Sequence, residues 1–318
     1  MLADIVNKLL LKVYTSLCII FLSLTSIAQN LVIPDTCFRR TLFQQGIDVN
    51  HDGEIQLSEA KQIKYLSLLN PDTYQAGEHF AHYENNIRDL TGIEAFSNIE
   101  SLDLDQNKLT VLKLNGFQKL KTISCERNEL VKLEISNLPN LEFISCRANK
   151  LIHVKLKELP KLKTISLNGN NLTELKLLDL PSLEELQCNN NKLSHLQLQK
   201  LPKLKDIQCA ENQLLKLELS HLLHLEKIWC DDNKLISLRV SGLQKLKYLG
   251  CSRNNIEKLN LTNLPMLNSL YCASDSLSEV KIKDKICNKI EYLDIQVFYG
   301  KEIRIIKDNC DKIPPFKF

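Results

Sequence analysis

The chain lacks the short motifs that mark common catalytic centres. Its 318 residues contain no GxSxG nucleophile turn, no HExxH metal helix and no glycine-rich phosphate loop. The seven histidines are scattered, and none is spaced with a cysteine as zinc ligands would be. His79 and His82 lie close together, but such a pair alone is a weak indication of a metal site. We therefore expect a protein that is not an enzyme.

An excess of charge of either sign is also lacking. The chain has 41 Lys and Arg against 38 Asp and Glu, which gives a formal net charge of +3. Nucleic-acid-binding domains usually carry a strong basic excess, so we do not expect a nucleic-acid partner.

Long apolar runs are scarce as well, and the one that stands out lies at the N-terminus. Residues 13–28 are mainly apolar, follow Lys8 and Lys12, and end in the sequence Ser-Ile-Ala. This order is typical of a secretory signal peptide, and the run is too short and too rich in Ser and Thr for a good membrane span. We expect residues 1–28 to be removed, giving a secreted or cell-surface protein without membrane insertion. The alternative is a single membrane anchor.

What the chain has in abundance is a repeat. Between residues 98 and 286 a 21-residue unit recurs nine times without insertion or deletion, as in KLKTISCERNELVKLEISNLP (119–139) and NLEFISCRANKLIHVKLKELP (140–160). A fixed period of this length is typical of a solenoid, in which each unit buries its apolar face only against its neighbours. The repeat therefore predicts an elongated stacked surface, which favours binding over catalysis.

The positions within the unit predict its local structure. Apolar residues mostly occupy positions 2, 5, 7, 12, 15, 17 and 20, and position 10 is Asn in eight of the nine units. Positions 4 to 8 alternate as a short strand of a parallel sheet should, with positions 5 and 7 pointing inward. The Asn is expected to satisfy buried backbone groups at the turn after this strand. Positions 15, 17 and 20 close the back of the coil, as a second short strand or a 3₁₀ turn.

From position 2 to position 12 the unit reads LxxLxCxxNxL, which is the leucine-rich-repeat signature. Residues 98–286 therefore resemble leucine-rich-repeat proteins, and the Cys-for-Leu form is similar to secreted bacterial members related to the internalins. The resemblance implies an α/β fold class: a solenoid with a parallel β-sheet on its concave face and little helix in the repeats.

The cysteines follow the repeat rather than a disulfide framework. Seven of the eleven occupy position 7 of their units, and Leu104 and Leu167 fill this position in the other two units. Leucine replaces a small buried apolar residue and not half of a disulfide, so we expect free, buried thiols. Cys287 and Cys310, beyond the last unit, are placed to pair with each other, which leaves Cys37 unpaired.

Position 3 alternates in charge through eight units, with Glu and Lys in turn from Glu100 to Lys247. Neighbouring rungs of a parallel sheet are close enough for like charges to repel, and the alternation avoids this. It predicts control of register and a duplication of a two-repeat unit.

Both ends of the stack depart from the unit, as the caps of a solenoid do. We expect a helical N-terminal cap at 29–62 and a degenerate first repeat at 63–97 with an insertion at about 70–84. The insertion is either a functional loop or neutral decoration. Residues 287–318 are expected to form a β-type C-terminal cap, a hairpin that turns near Gly300.

The N-terminal cap contains the sequence DVNHDGEIQLSE at 48–59, which resembles EF-hand and dockerin-type calcium loops. The resemblance implies side-chain ligands from Asp48, Asn50 and Asp52, the backbone carbonyl of Glu54, and a closing bidentate carboxylate from Glu59. We expect a structural Ca²⁺ ion here rather than a switch, because no second loop of this kind is present. The alternative is an Asp/Gly-rich turn that joins two capping helices without an ion.

Exceptions to the repeat on the concave face predict a binding site. At position 6 most units carry small or polar residues, but the last three carry Trp229, Gly250 and Tyr271, with Tyr248 at position 4. Exposed aromatic residues beside the gap left by a glycine suit a binding hot spot or a sugar-stacking platform, and they can equally pack against the C-terminal cap. Two acidic residues that complete this predicted site are Asp206 and Asp231.

These observations favour a secreted or cell-surface leucine-rich-repeat protein that binds a protein partner through its concave face. Two alternatives remain open. One is a carbohydrate-binding surface protein that uses the concave aromatic residues, and the other is a purely structural or adhesive surface protein.

Overall fold

The computed structural model describes residues 29–69, 86–273, 276–283, 292–294 and 304–308. Within them, each 21-residue unit forms one coil of a parallel-sheet solenoid, so the expected fold class is confirmed. The concave sheet has eleven strands in chain order. They are β1 (Tyr65–Ser67), β2 (Ser101–Asp103), β4 (Thr122–Ser124), β6 (Phe143–Ser145), β8 (Thr164–Ser166), β10 (Glu185–Gln187), β12 (Asp206–Gln208), β13 (Lys227–Trp229), β14 (Tyr248–Gly250), β16 (Ser269–Tyr271) and β18 (Tyr292–Asp294).

The back of the coil carries a second set of strands, at unit positions 14 to 18, as expected. They are β3 (Val111–Asn115), β5 (Lys132–Ser136), β7 (His153–Lys157), β9 (Glu174–Leu178), β11 (His195–Gln199), β15 (Lys258–Asn260), β17 (Glu279–Lys283) and β19 (Arg304–Asp308). Unlike the concave sheet, this ladder is interrupted: β3–β5–β7, β9–β11 and β15–β17–β19 form separate sheets. Between the last two groups, only the bridge from Glu218 to Arg239 remains.

The core of the solenoid is built from the inward positions of both strands. In the coil of residues 119–139, for example, Ile123 and Cys125 are fully buried from the concave strand, and Leu133 and Ile135 from the back strand. Each fully buried aliphatic side chain contributes about 1.5–3 kcal/mol of hydrophobic free energy, and the pattern repeats in each coil.

The Asn at position 10 forms the hydrogen-bond ladder that the sequence predicts. The Oδ1 atom of Asn149 accepts from the backbone N–H of Leu130 at 2.9 Å, while its Nδ2 donates to the carbonyls of Cys125 and Cys146 at 2.9 and 3.2 Å. One amide thereby joins two consecutive coils. The same three bonds recur at Asn128.

The expectation of free, buried thiols is confirmed for the seven cysteines at position 7. They are Cys125, Cys146, Cys188, Cys209, Cys230, Cys251 and Cys272. Cys37 is also free and is partly buried, with the Nη2 atom of Arg40 donating to its sulfur at 3.3 Å. The predicted pair of Cys287 and Cys310 lies outside the described residues.

The charge alternation at position 3 forms four ion pairs, each between a Lys and the Glu of the preceding coil. Lys121 contacts Glu100 at 2.6 Å, and Lys163 contacts Glu142 at 2.7 Å. The remaining two pairs are Lys205 with Glu184 and Lys247 with Glu226, both at 2.7 Å. The pairing repeats every two coils, which agrees with a duplicated two-repeat unit.

The N-terminal cap contains two helices, α1 (Thr36–Gln44) and α2 (Leu57–Ala60), and a 3₁₀ turn (Ile93–Ala95) closes the first coil. Asp35 caps α1, because its Oδ1 atom accepts from the N–H groups of Cys37 and Phe38 at 2.9 Å. Phe38 is fully buried against Phe96, with ring centroids 6.4 Å apart, so the helix docks on the end of the core. The predicted leader at 1–28 and the predicted insertion at about 70–84 lie outside the described residues.

The hairpin expected at the C-terminal end is wrong. Strand β18 pairs in parallel with β16, and β19 pairs in parallel with β17, so the two strands belong to different sheets. A hairpin would have paired them with each other in antiparallel orientation. The last regular coil presents open parallel edges at β16 and β17, and strands that extend both sheets satisfy these edges.

Candidate functional site

The concave sheet brings the predicted aromatic residues together by its register. Neighbouring strands β13, β14 and β16 place Trp229, Gly250 and Tyr271 side by side at unit position 6. Tyr248 pairs with Lys227 at unit position 4 of the same strands. Parallel pairing spaces these neighbours by about 4.8 Å, which is within reach of aromatic side chains. The register therefore brings the three predicted aromatic residues onto three consecutive strands of one sheet.

The gap expected at Gly250 is filled by the Trp229 ring. A Cβ atom added to Gly250 would lie 2.6 Å from Cε3 of Trp229 and 2.6 Å from Oδ2 of Asp231. Beyond the glycine, the indole meets the Tyr271 ring at a centroid distance of 5.6 Å and an interplanar angle of 40°. Trp229, Tyr248 and Tyr271 are consequently partly buried rather than fully exposed, and they form a supported platform instead of three separate side chains.

A charged row runs beside this platform. The ammonium group of Lys227 lies 5.9 Å from the centroid of the Tyr248 ring, a cation–π geometry, and 3.7 Å from Oδ2 of Asp206. Sequence reasoning missed Lys227 as a member of the site. The signal was its place at unit position 4, between Asp206 and Tyr248 in the neighbouring units.

The two predicted acidic residues have different roles. Oδ1 of Asp231 accepts from the backbone N–H of Ser252 at 2.8 Å, and Asp105 makes the same bond to Glu126 at 2.6 Å in an earlier coil. Asp231 is therefore part of a structural ladder at position 8. Oδ1 of Asp206, in contrast, is buried without a hydrogen-bond partner among the described residues. Burial raises the pKa of both carboxyl groups, and in Asp206 the nearby Lys227 opposes this rise.

The loop at 48–59 is folded around its own acidic side chains. Asp48 accepts from the backbone N–H groups of Asp52 and Gly53 at 3.2 and 3.1 Å. Glu59 accepts from Val49 at 2.8 Å through Oε1 and from Gln56 at 2.9 Å through Oε2. Asp48 and Glu59 are buried, so the loop holds two carboxylates away from bulk water.

Polar side chains in the middle of the loop also converge. The Nδ2 atom of Asn50 donates to Oδ2 of Asp52 at 3.0 Å and to Oε1 of Gln56 at 3.1 Å. The backbone N–H of Glu54, together with Asn50 and Gln56, lowers the pKa of Asp52. Within the described parts of the chain, no group of three or more His, Cys, Asp or Glu side chains is arranged as a metal site. In this loop, Asp48 and Glu59 accept from the loop's own N–H groups.

Glu54 and the loop edge have their own contacts. The carboxylate of Glu54 pairs with Arg39 of α1 at 3.1 Å, which leaves its backbone carbonyl as the candidate ligand. Along the edge, Leu31 donates to the carbonyl of Ile55 at 2.8 Å, and Leu57 donates to that of Gln29 at 2.9 Å. The chain before α1 therefore covers the loop edge.

Comparisons with known proteins identify the fold of this chain but not its family. No protein-family model and no curated protein match the chain. Among solved structures, it is similar to the functional domain of InlJ from Listeria monocytogenes, described as including a cysteine ladder, with a TM-score of 0.57 and 22% identity over 77% of this chain. The match spans 55% of that domain's length. A leucine-rich-repeat protein of Leptospira interrogans matches with a TM-score of 0.50 and 24% identity, over 76% of this chain and 74% of the other.

The leucine-rich-repeat solenoid is therefore the fold of this chain. Among the residues that the structure describes, no helix has the length and apolarity needed to cross a membrane.

Proposed function

We propose that the protein binds a protein partner through the aromatic platform of its concave face, formed by Trp229, Tyr248 and Tyr271. The observation that carries this proposal is the packing of Trp229 over Gly250 and onto Tyr271. A large aromatic side chain that is already held in place loses little conformational entropy on binding, and such residues dominate binding free energies at protein interfaces. Lys227 and Asp206 add charged groups at the edge of the platform.

A comparison of two aromatic substitutions tests the proposal. Wild-type protein, Trp229→Ala and Phe143→Ala are immobilised, and the proteins that each retains from host or community extracts are compared. Phe143 is also an exposed concave aromatic residue, at 37% exposure, but it lies on β6, several strands from the platform. A partner should be retained by wild type and Phe143→Ala and lost from Trp229→Ala. Equal retention by all three proteins would contradict the proposal.

A carbohydrate ligand is the second candidate, and the polar groups around the platform favour it. Gln187 and Glu185 both lie on β10, two strands before β13, and are joined by a hydrogen bond of 2.6 Å. On β12, between them and the platform, Oδ1 of Asp206 has no partner among the described residues. Stacking on aromatic rings with amide and carboxylate acceptors nearby suits a sugar. Specific binding on a glycan array that Trp229→Ala abolishes would support this candidate. Self-association without either kind of binding would favour a purely adhesive role.

We also propose that the loop at 48–59 binds a structural Ca²⁺ ion. Its donor set is the one calcium prefers: side-chain oxygens of Asp48, Asn50, Asp52 and Glu59 and the backbone carbonyl of Glu54. The ion pairs of the described residues include none with Asp48, Asp52 or Glu59, so three carboxylates share one loop without a cation from the protein. A bound ion would neutralise them and hold α1 against α2.

Calorimetric titration with Ca²⁺ tests the loop. The substitution Glu59→Gln should abolish binding, because it removes a charged bidentate ligand. The substitution Glu54→Gln should leave binding nearly unchanged, because its side chain pairs with Arg39 and only its backbone faces the loop. Absence of binding heat in the wild-type protein would refute the site.

The third proposal is export. The basic and apolar pattern of residues 1–28 supports a leader removed after Ala28, which makes the product secreted or cell-surface. Gln29 would then be the first residue of the mature chain. Gln29 and Leu31 form backbone hydrogen bonds with Leu57 and Ile55 at the loop. N-terminal sequencing of the exported protein should read Gln29 first, and an intact residue 1 would overturn the proposal.

A further inference from the structure

The back of the solenoid opens into a groove where the sheet of β9 and β11 ends. These two strands pair in parallel over five residues. In the next coil, residues 216–220 form no strand against β11 in the described structure. The space between them is a cavity of about 910 Å³. Ligand-binding pockets usually measure about 300–1,000 Å³, so the groove is large enough for a ligand.

The turn at the end of the coil also changes where the ladder stops. In the preceding coils, the residue at position 19 has a left-handed conformation, with φ of +57° at Asp179 and +54° at Lys200. In the next coil this position is His221, and the chain instead forms a tight turn in which the N–H of Leu222 donates to the carbonyl of Leu219 at 2.9 Å. The changed turn and the loss of the back strand occur in the same coil, which leaves the outer edge of β11 uncovered.

The uncovered edge of β11 presents main-chain groups to the groove. Gln199 faces the β9 side, since its carbonyl accepts from Asp179 at 3.4 Å, and strand geometry turns Leu196 and Leu198 to the opposite side. His221 donates from Nε2 to the carbonyl of Leu198 at 2.6 Å. On this side, the N–H and C=O of Leu196 and the N–H of Leu198 meet no hydrogen-bonding strand among the described residues. Such an edge is a template for another extended chain.

The side chains of the groove define what such a chain should carry. Leu196 and Leu198 line it, and Leu215 stands on its rim at 53% exposure, so an apolar side chain fits between them. Glu218 and Glu174 also line the groove and make no ion pair with any described residue. Of the two lysines that line the groove, Lys200 is held by Asp179 at 2.8 Å, whereas Lys216 makes no ion pair with a described residue and offsets one of the two carboxylates. One carboxylate remains in excess, and a single Lys or Arg of a ligand would offset it.

We propose that this groove binds an extended peptide segment of a partner protein, which adds as a third strand to the β9–β11 sheet. In an extended peptide, alternate side chains face the same way, so an apolar residue meets Leu196 and Leu215 while a neighbouring Lys or Arg meets Glu218. The groove lies on the back of the coil, away from Trp229, and its occupation does not depend on the concave platform.

Selection from a random library of linear peptides displayed on phage, with the folded protein as bait, supplies the probe. Selected peptides should combine apolar residues with Lys or Arg. The substitution Ser194→Trp fills the mouth of the groove and should weaken their binding by at least about tenfold. Thr173→Trp is the matched control, because Thr173 occupies the same unit position one coil earlier, outside the groove, and it should not change binding. Glu218→Gln should also weaken binding, but by a factor several-fold smaller than Ser194→Trp does.

Methylation of successive backbone nitrogens in a selected peptide then tests the strand pairing on the wild-type protein. Sensitivity should alternate with a period of two residues, since only every second N–H faces β11. The proposal is overturned if no peptide is selected, if the peptides bind Ser194→Trp as well as wild type, or if the methylation pattern lacks this period. A concentration-dependent dimer that Ser194→Trp dissociates would also overturn it, because the occupant would then be a second copy of the chain.

Discussion

The indole ring of Trp229 lies directly over the α-carbon of Gly250, so closely that a single methyl group on the glycine would meet the ring at 2.6 Å. The glycine is therefore a requirement of the aromatic platform and not only a small residue in the repeat. Because residue 250 has no side chain, the ring lies against β14 and contacts Tyr271 two strands away. The binding proposal depends on this arrangement.

Substituting Gly250→Ala should move the Trp229 ring off the sheet. Since Trp229 is the only tryptophan of the chain, its fluorescence reports on this one site, and we expect a changed emission maximum together with weaker partner binding. Ser124→Ala, at the same unit position far from the platform, should change neither. An unaltered spectrum in Gly250→Ala would mean that the ring does not rest on the glycine.

Removal of one rung of the Asn ladder should destabilise the solenoid. Asn149→Ala leaves the backbone groups of Leu130, Cys125 and Cys146 without their side-chain partner, and each buried unsatisfied group costs about 1–3 kcal/mol. We expect a clear fall in the urea midpoint of unfolding. Lys150→Ala, at the next, exposed position, is the control and should shift the midpoint little. Equal shifts in the two variants would show that the Asn149 hydrogen bonds do not stabilise the fold.

The buried cysteines should make the fold sensitive to alkaline pH. Burial raises the pKa of the Cys209 thiol to about 12, and it raises the pKa of the Cys188 and Cys230 thiols well above their usual range. An unfolded thiol ionises near pH 8.5, so above that pH the unfolded chain releases protons that the folded chain keeps. The free energy of unfolding should therefore fall as pH rises above about 8.5. Cys209→Leu should reduce this fall, and an identical pH profile would contradict the assignment.

Burial also predicts how the thiols react. In a Cys287→Ser/Cys310→Ser background, a thiol reagent should modify Cys37 in the folded mature protein and reach the seven repeat cysteines only after denaturation. Rapid labelling of more than one thiol without denaturant would show that the ladder of cysteines is open to solvent.

The position 3 ion pairs should be coupled in twos. Double-mutant cycles should find more coupling between Glu142 and Lys163, which are in contact, than between Lys163 and Glu184, which form no ion pair. High salt should reduce the difference, because these side chains are exposed. Equal coupling along the row would argue against a two-coil unit.

The regular positions of this chain could be predicted because each has one physical role. Ile123 and Cys125 alternate as buried strand residues, and Asn149 repeats the bonds of Asn128, so pattern alone was sufficient. The orientation of Trp229 could not be predicted, since it depends on which neighbour in another coil is a glycine. The β11 edge was missed because residues 216–220 keep the alternation of a strand although they do not pair with β11. The C-terminal hairpin was wrong because alternation does not specify the partner strand.

The most direct test is to follow the environment of Trp229 by ¹⁹F NMR while a partner binds. With 5-fluorotryptophan in place of tryptophan, the mature protein should give a single ¹⁹F resonance, because the chain has one tryptophan. Adding a partner protein retained by the wild-type column should shift or broaden this resonance, and Phe143→Ala should respond in the same way. A complex that forms while the resonance stays unmoved would contradict the claim that the concave aromatic platform is the binding site.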